Sequence, residues 1–312
     1  MNKLLGFQSI AGGKVSVEGS LAAVTGARKI QGGTAINGLY LFDITNPFAP
    51  RLKGSFETTL FALKGLKLIG NRCYVACHNA GLKIFDVSNP ALPVLLGTYD
   101  TPGAAYAVQV VGNLAYIADF IQGLRILNVS NPSSITNVGT VDTPGGASAL
   151  AIQGNLCVIA DSTTVQLINI SNPSSPSIYG AIVTSAGSTI DFISSTVILV
   201  GSSGTGVKAI DISNPSSPAI ISSLAPSGHS GASGQGVSVF GNVAAVGNYS
   251  VVSFVNVSNP GSMFYIEHVL SVGNVAELSW NGSLCVCADS VNGITVIGLD
   301  TLNESTGGSC PQ

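Results

Sequence analysis

A five-residue phrase that returns about every 42 residues, a small polar turn inside each unit and a composition almost without charge predict an all-β fold. The form they predict is a seven-bladed β-propeller of four-stranded antiparallel blades, its ring closed by an N-terminal strand that completes the last blade. The phrase reads Asp43-Ile44-Thr45-Asn46-Pro47, Asp86-Val87-Ser88-Asn89-Pro90 and Asn128-Val129-Ser130-Asn131-Pro132. It returns as Asn169-Ile170-Ser171-Asn172-Pro173, Asp211-Ile212-Ser213-Asn214-Pro215 and Asn256-Val257-Ser258-Asn259-Pro260, with a degenerate copy at Gly298-Leu299-Asp300-Thr301. Successive copies lie 43, 42, 41, 42, 45 and 42 residues apart, the length of a four-stranded blade. Of 312 residues 46% are apolar and only 9% are charged, against about 25% in an average domain, so the surface must be built mainly from Ser, Thr, Asn and Gly. No apolar run approaches the ~18 residues that span a bilayer. Disorder is excluded by the high hydrophobicity, and collagen by 38 glycines without a triplet period.

The elements follow in order. Lys3-Leu4-Leu5-Gly6-Phe7 reads like Val94-Leu95-Leu96-Gly97-Thr98 in the second unit, so residues 1–12 are expected to supply the outer strand of blade 7 and remove the ring's open edge. The apolar stretch at Met1–Phe7 is shorter than the ~7–15 residues of a secretory signal, and a structural task there argues against a removable leader. Blades are expected near 14–58, 59–101, 102–143, 144–185, 186–226, 235–271 and 272–300, with 301–312 a polar tail. Unit three shows the plan: Ala107–Val111 is the innermost strand, Gly112-Asn113 a tight hairpin turn, Leu114–Asp119 the return, Gly123–Val129 the third strand and Ile135–Val141 the outer one. Gly70-Asn71, Gly154-Asn155 and Gly241-Asn242 repeat the turn, with Gly19-Ser20, Gly282-Ser283 and Ser194-Ser195 as variants. Inner strands are apolar on both faces, as sheets sandwiched between neighbours require.

Residues 81–90, Gly-Leu-Lys-Ile-Phe-Asp-Val-Ser-Asn-Pro, and Ala115-Tyr116-Ile117-Ala118-Asp119 with Gly123-Leu124-Arg125-Ile126-Leu127 resemble the LVIVD repeat of β-propeller proteins. The resemblance covers about residues 3–300 and is specific for fold. It implies a surface or secreted protein and assigns no activity, because propellers host unrelated tasks.

Most residues that suggest chemistry have a structural reading. Asp and Asn exchange freely in the repeated phrase, so no fixed charge is needed; a short side chain accepting backbone N–H groups in an Asx turn explains the exchange. Asn-x-Ser triplets at Asn128, Asn169, Asn248, Asn256, Asn281 and Asn303 would carry glycans only in a glycosylating compartment. Cys73, Cys157 and Cys285 align in one column of the second strand with Ala22, Ala115, Val197 and Ala244, and Cys287 aligns with aliphatic residues, so these are small buried hydrophobes and no disulfide framework is expected. Cys77-His78 places two reactive types side by side, but neighbours on a strand face opposite ways. Cys310 is the cysteine expected to be free. His78, His229 and His268 are too scattered for a zinc site or triad. Asp119, Asp161 and Asp289, with Asn248, end the second strand on one face of the disc and read as caps of the turn to the third strand rather than calcium ligands. Tyr106 and Trp280 are the aromatic candidates for a ligand at the channel. Neither a catalytic site nor a cofactor or metal is expected, the alternative being an enzyme with a site at the central channel, where propellers can gather polar groups.

Two features point to partners. Ten of twelve basic residues lie in residues 1–83 against three acids, making that segment +7 and the rest −10. A positive arc on blades 1 and 2 would orient docking on an acidic surface. The second feature is a pair of insertions, Gly26–Gly38 with Arg28 and Lys29, and Ala225–Gly236 with His229. Arg28, Lys29, Arg51, Lys53, Lys64, Lys67 and His229 are the candidate partner-binding residues. The partners expected are other subunits of an assembly, with a glycan as alternative; nucleic acid is disfavoured because few aromatics accompany the basic residues. These readings suit a virion tail or fibre component, or a cell-surface or extracellular adhesion protein, and leave a cytoplasmic location open.

Overall fold

The computed structural model describes residues 10–28, 35–184, 187–202, 206–225, 236–248, 250–270, 273, 275–282, 284–289 and 293–298. They form seven antiparallel meanders over 10–58, 66–99, 107–141, 147–183, 187–224, 236–270 and 275–298. Six are four-stranded, and the seventh has three strands among the described residues. The proposed closure strand at residues 3–7 lies outside the described residues. Residues 10–12, assigned from sequence to the closure segment, instead begin the innermost strand of blade 1, Ile10–Glu18, and pair with Gly26–Arg28.

Seven apolar clusters hold the ring together, each shared by two adjacent blades. One joins Ala23, Leu39 and Leu41 of blade 1 to Cys73, Val75 and Phe85 of blade 2. Another joins Val286, Ala288 and Ile294 of blade 7 to Val24, Tyr40 and Phe42 of blade 1. That last cluster, with contact between the innermost strands of blades 7 and 1, closes the ring. The cysteine column sits in these seams: Cys73, Cys157 and Cys285 are fully buried beside the same kinds of aliphatic neighbours as Ala22, Ala115 and Ala244. In blade 5 the pairing puts Ile198, not Val197, in that column, because the hairpin turns at Ser195-Thr196. The other described hairpins turn on a glycine at positive φ, such as Gly70 and Gly112. Blade 5 lacks that glycine, and an irregularity between Phe192 and Ser194 absorbs the extra residue.

The repeated phrase has three structural jobs. Its first residue accepts the amide two positions on: Asp86 Oδ1 from Ser88 at 2.8 Å, Asn128 Oδ1 from Ser130 at 3.0 Å, Asp211 Oδ1 from Ser213 at 2.8 Å. Its Val or Ile is buried in the seam with the preceding blade, and that residue's N–H reaches the inner hairpin turn, as from Val87 to the Asn71 carbonyl at 2.8 Å. Its Asn makes a second Asx turn, Asn131 Oδ1 accepting from Ser133 at 3.1 Å. The proline carbonyl then rests on the outer strand of the preceding blade. A Cβ on Gly97 would lie 1.8 Å from the Pro132 carbonyl oxygen, and one on Gly139 2.1 Å from that of Pro173. Gly54 and Gly180 make the same approach to Pro90 and Pro215. In blade 5 Ser222 takes the glycine's place and donates its hydroxyl to the Pro260 carbonyl.

Gly97→Ala is therefore expected to push blades 2 and 3 apart and cost about 3 kcal/mol, read as a lowered denaturation midpoint. Gly261→Ala, whose Cβ would meet nothing closer than 3.4 Å, serves as control and leaves the midpoint nearly unchanged. The carboxyls of Asp43 and Asp86 are held below the usual range by the hydroxyl and amide of Thr45 and Ser88, and that of Asp211 by the amide and hydroxyl of Ser213. A lowered folded pKa stabilises above the ordinary carboxylate range, and that contribution is lost as pH falls through the lowered value. An Asp43→Asn/Asp86→Asn/Asp211→Asn variant should therefore show a flatter fall in stability below about pH 4, measured by urea unfolding across pH.

Candidate functional site

The innermost strands enclose a central channel of about 310 Å³ lined from all seven blades. One position on each strand, set by pairing with the second strand, is Ser16, Lys67, Gln109, Ala151, Asp191, Ser238 or Ser279 in blade order. Three of these side chains stitch neighbouring blades by accepting an inner-strand amide. Ser16 Oγ takes Leu68 N–H at 3.1 Å, Asp191 Oδ2 takes Val239 N–H at 2.8 Å, and Ser279 Oγ takes Val17 N–H at 3.2 Å. Alternate inner-strand amides face away from the hairpin partner, which is why they are available. Asp191 Oδ1 also accepts the Phe192 amide at 2.8 Å. Burial raises the Asp191 pKa against those two amides and the field of Lys67, with Glu277 adding to the rise. Nearer one mouth, Lys14 Nζ and Glu277 Oε2 form an ion pair across the blade 1–blade 7 junction.

The basic candidates do not converge. Arg28 ends the second strand of blade 1 and is held in a two-point ion pair with Glu57, Nε to Oε1 3.0 Å and Nη2 to Oε2 2.9 Å. The insertion around it is not an irregular loop at its base: the hairpin is lengthened, with Gly26, Ala27 and Arg28 pairing with Gly38, Asn37 and Ile36. Arg51 and Lys53 lie on the outer strand of blade 1, Lys53 being 3.9 Å from Asp43. Lys64 precedes the innermost strand of blade 2, its ammonium 5.4 Å from the centre of the Tyr106 ring. Lys67 lies in the channel. Lys29 and His229 fall outside the described residues. The negative arc is also weaker at the surface than the residue count implies, because Asp119, Asp161 and Asp289 are buried.

Asp119 and Asp161 do not cap the turn to the third strand with their carboxylates; these two and Asp289 hold the link from the preceding blade. Asp119 accepts from the Thr101 hydroxyl at 2.7 Å and the Gly103 amide at 3.2 Å, with Arg125 Nε at 3.3 Å. Asp161 does the same with Thr143 at 3.1 Å and Gly145 at 2.9 Å, and Asp289 with the Gly273 amide at 2.9 Å. Thr-Pro-Gly at 101–103 and 143–145, 18 residues before Asp119 and Asp161, is the signal in the sequence that pairs them. Among the described residues no three His, Cys, Asp or Glu side chains converge as metal ligands. Burial drives the Cys77 thiol up to about 12 and those of Cys73, Cys157 and Cys287 up as well, so none is a ready nucleophile. His78 lies beyond the end of the second strand, at φ 47° in an isolated antiparallel bridge to Ala105. Trp280 is packed against Phe240 and Phe254 with its Nε1 on the Ser238 carbonyl at 3.0 Å, between blades and away from the channel lining. Tyr106 packs between His78, which meets it edge-on, and Phe120, tilted against it, with ring centres 5.3 and 5.2 Å apart.

The repeat matches the LVIVD repeat model over residues 34–58, 64–101, 102–143, 144–184 and 199–225. The chain belongs to the LVIVD-repeat family. No curated protein matches it. Solved structures resemble this LVIVD-repeat propeller in fold alone. The computationally designed Ika8 protein superposes with a TM-score of 0.66 at 11% identity, covering 96% of this chain and 100% of that one. Sqt1 of Saccharomyces cerevisiae gives 0.67 at 12%, covering 96% and 86%. The β-propeller domain of Cps50 (Swd1) of Myceliophteria thermophila gives 0.69 at 12%, covering 94% and 97%. An LVIVD-repeat propeller is compatible with a non-catalytic interaction module, and no helix among the described residues is long and apolar enough to cross a membrane.

Asp161→Ala is expected to cost about 3 kcal/mol through the stranded Thr143 and Gly145 donors, while a chelator leaves the thermal midpoint of the parent unchanged. A chelator-induced fall in the midpoint would instead make the aspartate column a metal site.

Proposed function

We propose that this LVIVD-repeat propeller is a non-catalytic protein-interaction module in an extended assembly, a virion tail or fibre or another extracellular structure. The observation that carries the reading is an outer rim that is apolar and, on the outer strands of blades 2 to 5, without a charged residue. Phe48 and Leu92, just beyond the Asn-Pro turns, are 72% and 67% exposed, and Val94, Ile178, Tyr179, Ile220 and Phe264 stand exposed on outer strands. The outer strands Thr136–Val141, Ser177–Val183 and Ala219–Leu224 carry no charged residue. Free-standing proteins usually blunt such edges with lysine, proline or acidic groups, so this rim suits a protein that is covered by neighbours. A second reading, adhesion through a glycan, draws support from the His78–Tyr106–Phe120 cluster, since Phe120 and the adjacent Ile121 are exposed.

Co-sedimentation of the native protein with large particles from its source, at low and high salt, tests the assembly reading. Sedimentation that persists in high salt is the outcome expected for an apolar rim. Sedimentation lost in high salt would place the contact on the basic residues, and reversing Arg28 and Lys29 should then weaken it and flatten its salt dependence. A protein left wholly in the supernatant would overturn the assembly reading.

A further inference from the structure

The channel's polar groups divide into a donor wall and an acceptor wall. In blades 1, 5 and 7 the stitching position holds Ser16, Asp191 and Ser279, each accepting the next blade's amide. Blade 2 has Lys67 there, which has donors only. It cannot take the Val110 amide, which occupies the place of Leu68, Val239 and Val17 in the pairing scheme. Lys67 forms no ion pair among the described residues, and Gln109 follows it at the same position of blade 3. Three blades on, across the ring, stand the Asp191 carboxylate and Thr189, whose hydroxyl is buried and without a hydrogen-bond partner. Lys14 and Glu277, the other charges of the lining, neutralise each other.

We propose that the channel binds a small zwitterion of the α-amino-acid type, its carboxylate on Lys67 and Gln109 and its ammonium on Asp191 and Thr189. A neutral ligand with separated charges satisfies both walls and leaves the channel's balance of two cations and two carboxylates unchanged; a simple anion would satisfy Lys67 but face Asp191 across the channel. The enclosed volume, about 310 Å³, lies at the small end of ligand pockets, which begin near ~300 Å³. The lining holds no cysteine or histidine, and among the described residues no three His, Cys, Asp or Glu side chains converge as metal ligands, so binding is the role these groups support. This site is independent of the assembly reading, because it uses the inner strands and not the rim.

The test is thermal denaturation of the full chain with free α-amino acids at millimolar concentration, followed by the N-acetyl and carboxamide derivatives of the one that shifts the midpoint most. Binding to the folded state should raise the midpoint, and blocking either end of the ligand should remove the rise. Lys67→Met, which touches no inter-blade stitch, and Asp191→Asn, which keeps an oxygen for the Val239 amide and gives up the one on the Phe192 amide, should each weaken binding by about tenfold or more. The proposal is overturned if no amino acid moves the midpoint, if a blocked derivative binds as well as the free one, or if Lys67→Met binds like the parent. Acetate or phosphate raising the midpoint equally, with the effect kept in Asp191→Asn, would overturn it in favour of an anion site.

Discussion

A blade here is a single sheet with two apolar faces and no layer of its own to cover them, so every blade depends on the seam it shares with each neighbour. Cys73, Phe85 and Val87 of blade 2 face Leu39 and Leu41 of blade 1, while Tyr74 and Ile84 on the other face of the same blade meet Val108 and Ile117 of blade 3. Stability is thus a property of the closed ring, and the seam between blades 7 and 1 has the same status as any other. This requirement explains the residues that look functional and are not. The small cysteines and alanines of the second strand let adjacent sheets approach, and the glycines at 54, 97, 139 and 180 let the next blade's proline carbonyl lean on the outer strand. Each is a volume limit imposed from across a seam.

Polar groups trapped between sheets must be satisfied, and this chain does so with few charges. Asx turns close the link to the outer strand with Asp or Asn indifferently. Buried aspartates hold the link between blades on threonine hydroxyls and glycine amides. Serines and one aspartate stitch the inner strands. Of the fifteen acidic residues Asp119, Asp161 and Asp289 are buried, which leaves an outer surface somewhat poorer in charge than composition alone suggests. Where the stitch gives way to Lys67, the same framework yields a donor facing the channel, so a departure from the repeat marks the place where binding chemistry can arise.

The hairpin positions, the six clear phrases and the spacing of the units were legible because each is local: a Gly-Asn turn, an Asx side chain and an apolar run act through neighbours in sequence. The alignment failed locally too, at Ser195-Thr196, where a missing glycine moved the turn by one residue and Ile198 into the cysteine column. Asp119 and Asp161 were found but misread, since their partners Thr101 and Thr143 lie 18 residues back in another blade's link. Arg28 was read as a candidate partner-binding residue, and its ion-pair partner Glu57, 29 residues away, was not legible.

What the sequence determined by itself was therefore the blade, the number of blades and the class of surface, because repeats, turns and alternation report on contacts within one unit. What only the tertiary structure decided was which side chains remain available for chemistry. That depends on distances between units: which acid reaches a threonine, which serine reaches an amide, and why Lys67 and Asp191 stand on opposite walls of one channel. The physical reason is that a repeat writes the same backbone seven times, while satisfaction of charge and hydrogen bonding is settled between copies.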